Sequence, residues 1–168
     1  MLSQINKLNK LVFQAVSWLC VALIAAIIVE VLLRLPPLRY SHAWMGEIQW
    51  QLFALIFLFG SPYALKQGRH VRVDLFYERF GARNKAWVDL IGSLLFLLPW
   101  CAMLIWFCTG FAYQAWLVGE RSSDAVLISY VPIKVALPLA ILLLFLQACA
   151  EAVKAWQTLR SHSNKERA

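Results

Sequence analysis

Few side chains in this sequence have the types and spacing that catalysis or redox chemistry requires. The three histidines, His42, His70 and His162, fall in connections or in the C-terminal region rather than inside apolar segments. A membrane cytochrome needs imidazoles inside its helix bundle to ligate haem, so a redox function is not expected. No nucleophile elbow, phosphate-binding loop or zinc-binding helix motif occurs in the sequence. We therefore expect neither enzyme activity nor a cofactor in this chain.

The four cysteines predict packing rather than metal binding. Cys20, Cys101, Cys108 and Cys149 all lie in apolar stretches, and none of them forms a Cys-x-x-Cys pair. Cys101 and Cys108 share one helix face at a spacing of seven, but no histidine or carboxylate accompanies them. We expect these cysteines to act as small core residues and the chain to hold no metal.

Two carboxylates at the edges of apolar segments are the remaining candidates for function. Glu30 lies four residues before Arg34, a spacing that predicts an ion pair along one helix face. Alternatively, Glu30 is a proton or cation site in a small drug exporter. Glu47 opens the second apolar segment, where it favours the positive end of the helix dipole and can accept a hydrogen bond from Gln51. A bridge from Glu47 to a partner subunit is the other interpretation.

Four long apolar segments must position these residues. The chain has 168 residues, 61% of them apolar, and a mean hydropathy of +0.64. Its uncharged runs approach the ~20 residues that cross ~30 Å of hydrocarbon. We predict an all-α integral membrane protein with a single membrane domain. Its four transmembrane helices are expected at about 11–34, 47–66, 87–118 and 131–155, followed by a flexible cytoplasmic tail at 157–168.

Prolines and one lysine predict irregular helix ends. Gly60 and Pro62 are expected to bend the last turns of the second helix. Pro138 is expected to bend the fourth helix or to delay its start. Lys134 should extend its ammonium group towards water while its aliphatic stem stays in the apolar layer.

Basic residues are distributed unequally between the two sides of the membrane. The N-terminal region, the connection between helices two and three, and the C-terminal region carry twelve of the sixteen lysines and arginines. By the positive-inside rule, both termini face the cytoplasm. The net charge of +7 indicates contact with anionic lipids rather than with nucleic acid. The first apolar segment is longer than the about 7 to 15 residues of a signal-peptide core, which predicts an uncleaved anchor.

The connection between helices two and three predicts a short interfacial amphipathic helix. Gly68 is placed to cap helix two, and Asp74 to begin the short helix. Four apolar residues at offsets 0, 3, 4 and 7 share one of its faces, namely Val73, Phe76, Tyr77 and Phe80. The expected contacts with lipid head groups or with a partner subunit are Arg69, Arg72, Arg79, Arg83, Trp44, Trp50 and Trp87.

Part of this connection matches a known motif, G-x-H-V-x-V-D. The motif residues are Gly68, His70, Val71, Val73 and Asp74. The likeness continues upstream at Trp44, Glu47 and Gly60 to Ala64. With its four helices, the chain resembles the small membrane subunit (DctQ type) of tripartite ATP-independent periplasmic (TRAP) transporters.

The likeness extends over nearly the whole chain. Gly119 to Ser122 and Pro132 to Lys134 are similar to one subgroup of the family. That subgroup has a Gly-Leu-Pro turn between the two motifs, whereas Ala125 to Ser129 departs from it. The shape of this outer connection is therefore left open.

This resemblance implies a non-catalytic scaffold subunit in a bacterial inner (cytoplasmic) membrane. Its partners would be a large membrane subunit, which carries substrate and sodium in an elevator movement, and a periplasmic substrate-binding protein. The small subunit would brace the fixed part of the large subunit and help to dock the binding protein. Because these partners choose the organic acid, the sequence leaves the substrate open. The alternative is a standalone four-helix transporter of the multidrug-exporter type.

Overall fold

The protein, described by a computed structural model over residues 2–37, 39–40, 42–67, 81–123 and 128–165, is built from helices. The elements in chain order are α1 (Leu2–Arg34), α2 (Ala43–Lys66), α3 (Ala82–Ile91), a π-helical segment (Gly92–Leu97), α4 (Leu98–Val118) and α5 (Val131–Lys165). Four helical stretches are long and apolar enough to cross a membrane: Lys7–Arg34, Ala43–Lys66, Asn84–Val118 and Val131–Arg160. The predicted all-α fold with four membrane helices is thus confirmed.

Helices α1 and α5 extend beyond the predicted membrane segments. Helix α1 begins at Leu2 instead of near residue 11, and α5 continues to Lys165. The stretch 157–165, expected as part of a flexible tail, is therefore helical. The physical reason is that leaving the apolar layer does not end a helix, since lysine, glutamine and arginine are good helix formers.

Helix α5 is the centre of the molecule. It packs against α4, α2, α3 and the edge of α1, whereas α1 packs mainly on α2. In the most apolar stretch of α5, 39% of the residues are buried, against 6 to 11% in the other three membrane helices. The helices therefore follow one another as α1, α2, α5 and α3–α4 in an open row rather than a closed ring.

Alanines allow α5 to occupy this central position. Six of its alanines are at most 9% exposed: Ala136, Ala140, Ala148, Ala150, Ala152 and Ala155. Small side chains let helix backbones approach closely, which is how membrane helices gain packing contacts without a hydrophobic driving force between them. Large side chains lie on the outside instead. All eight tryptophans are at least 40% exposed, as expected for a surface that contacts lipid or a partner.

The third membrane helix changes its winding before Pro99. The Leu98 N–H donates to the Ser93 carbonyl, five residues earlier, which is the π-helical pattern. Pro99 has no N–H, and its ring crowds the carbonyl four residues before it, so the preceding turn widens to accommodate both effects. Pro99 was the sequence signal for this segment, which we did not predict.

Pro62 lies inside α2 and is fully buried. Without an N–H it cannot donate to the Leu58 carbonyl. The Ser61 hydroxyl donates to that carbonyl instead, at 2.9 Å. Helix α2 can therefore continue past the proline to Lys66. Helix α5 likewise runs through Pro138, and it starts at Val131 rather than late.

Candidate anchoring and docking sites at the two ends of the bundle

The two ends of the bundle carry different polar clusters. The end with both chain termini also holds the connection from α2 to α3, and we name it the terminal end. The opposite end holds the connections from α1 to α2 and from α4 to α5.

Glu47 joins α2 to the α4–α5 connection at the opposite end. Its carboxylate accepts hydrogen bonds from the Trp50 indole, from the Ser122 hydroxyl at 2.8 Å and from the Tyr130 hydroxyl at 3.2 Å. Hydrogen bonds to an ionised acceptor are about twice as strong as neutral ones. One carboxylate therefore holds together segments that are far apart in the sequence.

The predicted hydrogen bond from Gln51 to Glu47 is wrong. The carboxylate of Glu47 is taken by Trp50 and by hydroxyls of the connection, and Gln51 Nε2 is buried with no hydrogen-bond partner among the described residues. The spacing of four residues places Gln51 on the same helix face as Glu47. It does not show that donors from other parts of the chain occupy the carboxylate instead.

Gly119 gives the α4–α5 connection its direction. Gly119 lies in the left-handed region at φ 63°, and the Glu120 N–H closes the helix end on the Ala115 carbonyl at 3.1 Å. The Ser122 N–H then donates to the Ile128 carbonyl at 2.9 Å, and the Tyr130 N–H to the Glu120 carbonyl at 3.0 Å. These backbone bonds present Ser122 and Tyr130 to Glu47.

Lys134 lies next to the same connection. Its ammonium group pairs with Glu120 at 2.5 Å and lies 3.9 Å from the centre of the Phe111 ring. The Lys134 side chain is only 12% exposed, so its ammonium group contacts a carboxylate and an aromatic ring within the chain instead of extending into water as expected.

Glu30 is the second carboxylate that fastens the opposite end. It accepts a hydrogen bond from Arg34, which confirms the predicted pair, and another from Gln49 of α2. Glu30 is 8% exposed. The carboxylate therefore links α1 to α2 and has both of its oxygens engaged.

A chain of polar side chains links α1 to α5 towards the terminal end. Asn9 Nδ2 donates to Gln147 Oε1 at 2.6 Å, and Gln147 Nε2 donates to Glu151 Oε1 at 2.7 Å. Lys154 Nζ donates to the same oxygen of Glu151, also at 2.7 Å. Asn9 and Gln147 are 2% and 0% exposed. The amides of Asn9 and Gln147 therefore both have hydrogen-bond partners, as is usual for buried polar groups.

Several predicted site residues lie on the described surface. Trp44, Trp50 and Trp87 are exposed near helix ends, where they can contact lipid head groups or a partner. Gly60 lies inside α2, and a Cβ atom at this position would meet nothing within 4 Å. The fold of this chain therefore does not itself require glycine there.

The remaining predicted residues lie outside the described part of the chain. They are Gly68, Arg69, His70, Val71, Arg72, Val73, Asp74 and Arg79, together with the predicted interfacial helix. Arg83 lies in α3, but its side chain is outside the described part.

Sequence reasoning missed four residues that fix the two ends: Asn9, Gln49, Ser122 and Tyr130. Asn9 and Gln49 are amides at the edges of apolar runs, which was a usable signal because such groups need partners. Ser122 and Tyr130 had no such signal. In the described residues no group of three potential metal ligands occurs.

Comparison with known proteins places this architecture in a family. Residues 23–158 match tripartite ATP-independent periplasmic transporters, DctQ component. The match spans more than half of the chain and includes Glu30, Glu47 and Gln147. Comparison with curated proteins gave no match, and neither did comparison with solved structures. Because the match spans most of the chain and reaches into all four membrane helices, the chain belongs to the DctQ family, the small membrane components of tripartite ATP-independent periplasmic transporters.

Proposed function

We propose that this chain is the non-catalytic scaffold subunit of a sodium-coupled importer of an organic acid. In this role it binds the large membrane subunit and widens the fixed part of that subunit. The transport domain of the large subunit moves against this fixed part. The observation that carries the proposal is the open row of helices, in which α1 and α3–α4 form two edges with exposed apolar side chains. An open row offers a broad lateral face to a partner, whereas a closed ring does not.

The polar clusters support a bracing role. Membrane transport sites use broken helices and polar side chains near the middle of the bilayer. Here the clusters around Glu47 and Glu30 lie at one end of the helices, and the Asn9–Gln147 pair lies towards the other. Such clusters fix the relative positions of helices, which is what a scaffold needs. Substrate and sodium are then carried by the large subunit.

The distribution of charge orients the subunit in a bacterial inner membrane. Basic residues concentrate in the terminal end and in the connection between α2 and α3, so this end faces the cytoplasm and anionic lipids. The opposite end then faces the periplasm. The α4–α5 connection, held by Glu47, is the part of this chain offered to the periplasmic substrate-binding protein.

A standalone exporter is the alternative function. It requires Glu30 as a proton or cation site, and such sites are carboxylates that a transported ion can reach. Glu30 is instead bound by Arg34 and by Gln49 at the end of its helix. The contacts of Glu30 therefore favour the scaffold.

Co-purification and reconstitution separate these functions. A tagged chain co-expressed with its large subunit and extracted in mild detergent should retain that subunit. In liposomes, this chain together with the large subunit should take up an organic acid when a sodium gradient drives the uptake and the binding protein is present. This chain alone should transport nothing. A chain that purifies alone, or that moves substrate by itself, contradicts the scaffold role.

Glu30→Gln is a matched variant for the same experiment. An exporter that uses Glu30 for protons would lose its transport, since an amide does not titrate. The scaffold should retain the large subunit, because the amide oxygen still accepts a hydrogen bond from Gln49.

A further inference from the structure

A cavity of about 320 Å³ opens at the terminal end, where α2, α3 and α5 converge. Its apolar lining is Leu65, Ala86 and Ala155, each at most 9% exposed. The small alanines leave space that larger side chains would fill. The volume falls at the lower end of the range of about 300 to 1,000 Å³ typical of ligand sites.

Charged residues of both signs line the cavity. Helix α3 contributes Lys85 and Asp89, and α5 contributes Glu151 and Lys154. The charges of the two lysines and the two carboxylates cancel, so a ligand that carries only negative charge gains little net attraction from this lining. A zwitterion is complementary to this lining, because each of its charges meets one of the opposite sign.

Glu151 provides an unfilled acceptor in the wall of the cavity. Its two donors, Gln147 and Lys154, meet the same oxygen, Oε1. Oε2 is thus left without a donor among the described residues. A carboxylate has about four acceptor positions, so a ligand with N–H donors would complete its shell. The adjacent ammonium of Lys154 donates one hydrogen bond to Glu151 and has two donors left for an anionic group.

The surrounding structure holds this wall in place. Gln147, which positions Glu151, is fully buried and is fixed in turn by Asn9 of α1. On the facing side, Ser93 lines the cavity from within the π-helical segment. Such single π turns widen a helix locally and are frequent at functional sites.

We propose that this cavity binds the head group of a phospholipid that carries a primary amine. The ammonium group of the lipid donates to Glu151, and its phosphate accepts from Lys154. The acyl chains follow the apolar surface beside Leu65 into the bilayer. This site is independent of the proposed scaffold function, since it lies within one chain.

Native mass spectrometry of the purified full chain tests the proposal. The probes are phosphatidylethanolamine, phosphatidylcholine and phosphatidylglycerol with identical acyl chains. Phosphatidylethanolamine should be retained about tenfold more tightly than phosphatidylcholine, whose trimethylated nitrogen cannot donate, because one charge-assisted hydrogen bond is worth about that factor. Phosphatidylglycerol lacks the ammonium and should also bind more weakly.

Two variants assign the binding to the cavity. Glu151→Gln keeps an oxygen that accepts from Gln147 but loses the charge, so it should reduce the preference for phosphatidylethanolamine over phosphatidylcholine. Lys154→Met should weaken binding of all three lipids. Lys66→Met is the control, since Lys66 lies at the same end of the bundle over the Tyr63 ring and does not line the cavity. Circular dichroism checks that each variant remains helical.

Four results would overturn the proposal. The first is equal retention of the three lipids, and the second is a Glu151→Gln variant that still prefers phosphatidylethanolamine over phosphatidylcholine to the same degree. The third is an equal loss of lipid binding in Lys66→Met and Lys154→Met. The fourth is displacement of the lipid by inorganic phosphate at the same concentration. The last result would indicate a simple anion site. None of them bears on co-purification with a large subunit.

Discussion

Glu47 accepts hydrogen bonds from residues that lie 3, 75 and 83 positions away in the sequence. The residue type and its place at the start of the second apolar segment suggested a helix cap or a bridge to a partner subunit, but α2 begins at Ala43 and places Glu47 beyond its first turn. The structure gives it an intramolecular role, because Ser122 and Tyr130 reach it from the α4–α5 connection. The backbone geometry at Gly119 sets the direction of that connection.

Glu47→Ala should loosen the α4–α5 connection. It removes the acceptor of three hydrogen bonds, which should lower the free energy of unfolding. Hydrogen exchange at 119–123 and 128–130 should rise, as read by mass spectrometry in detergent. Glu47→Gln keeps a hydrogen-bond acceptor and should therefore lose less stability than Glu47→Ala. Exchange in Glu47→Ala equal to that of the unchanged protein would refute this role.

Gln51 is the contrasting case, a buried amide nitrogen without a hydrogen-bond partner among the described residues. An unsatisfied buried donor costs about 1–3 kcal/mol. Gln51→Leu should therefore leave stability unchanged or raise it, measured as the midpoint of thermal unfolding in detergent. A marked fall in the midpoint would mean that the amide has a partner in the folded protein. Gln147→Leu is the control and should destabilise, since it breaks hydrogen bonds to Asn9 and Glu151.

At the scale of elements, helices α2 and α3–α4 accommodate proline in different ways. In α2, the Ser61 hydroxyl supplies the hydrogen bond to Leu58 that Pro62 cannot make. Before Pro99, the helix instead widens into the π-helical segment. In α2 a hydroxyl beside the proline thus substitutes for the missing donor, whereas before Pro99 the backbone changes its winding.

Ser61→Ala should destabilise α2 because it leaves the Leu58 carbonyl without a donor. The expected loss is about 1–3 kcal/mol of unfolding free energy. Ser17→Ala is a matched control: the Ser17 hydroxyl donates to Phe13 in α1, where no proline has removed the backbone donor, so its loss should cost much less. Chemical or thermal unfolding of both variants in the same detergent makes the comparison. Equal losses would show that Ser61 has no special role.

At the scale of the whole molecule, the open row leaves broad faces of α1, α2 and α4 exposed. Gly60 of α2 has open space around its Cα, so the chain alone gives no reason for a glycine. A close approach of a partner helix would give one, since small residues permit such contacts in membranes.

Gly60→Leu should therefore fold normally but co-purify with less of the large subunit. Gly110→Leu is the matched control, since Gly110 also has nothing within 4 Å of a Cβ and lies inside α4. Quantitative co-purification of both variants tests the difference. Undiminished recovery with Gly60→Leu would show that this position does not contact the partner.

Much of the fold could be predicted from the sequence because it depends on local physics. Long uncharged runs give the four membrane helices, and the i, i+4 spacing gives the pair of Glu30 and Arg34. The limits of α1 and α5 could not be predicted, since polar residues continue a helix into water as readily as they end it. The hydrogen bonds of Glu47 and Asn9 were also out of reach, because their partners come from other helices or connections.

The sequence by itself determined the membrane class, the number of helices and the family resemblance, since each depends on composition, run length or contiguous motifs. Only the tertiary structure decided that α5 is central, that the helices form an open row, and that Glu47 and Asn9 join distant segments. Apolar runs are nearly interchangeable in sequence. Which of them lie side by side depends on small residues that permit close approach and on polar groups that must find partners once water is excluded.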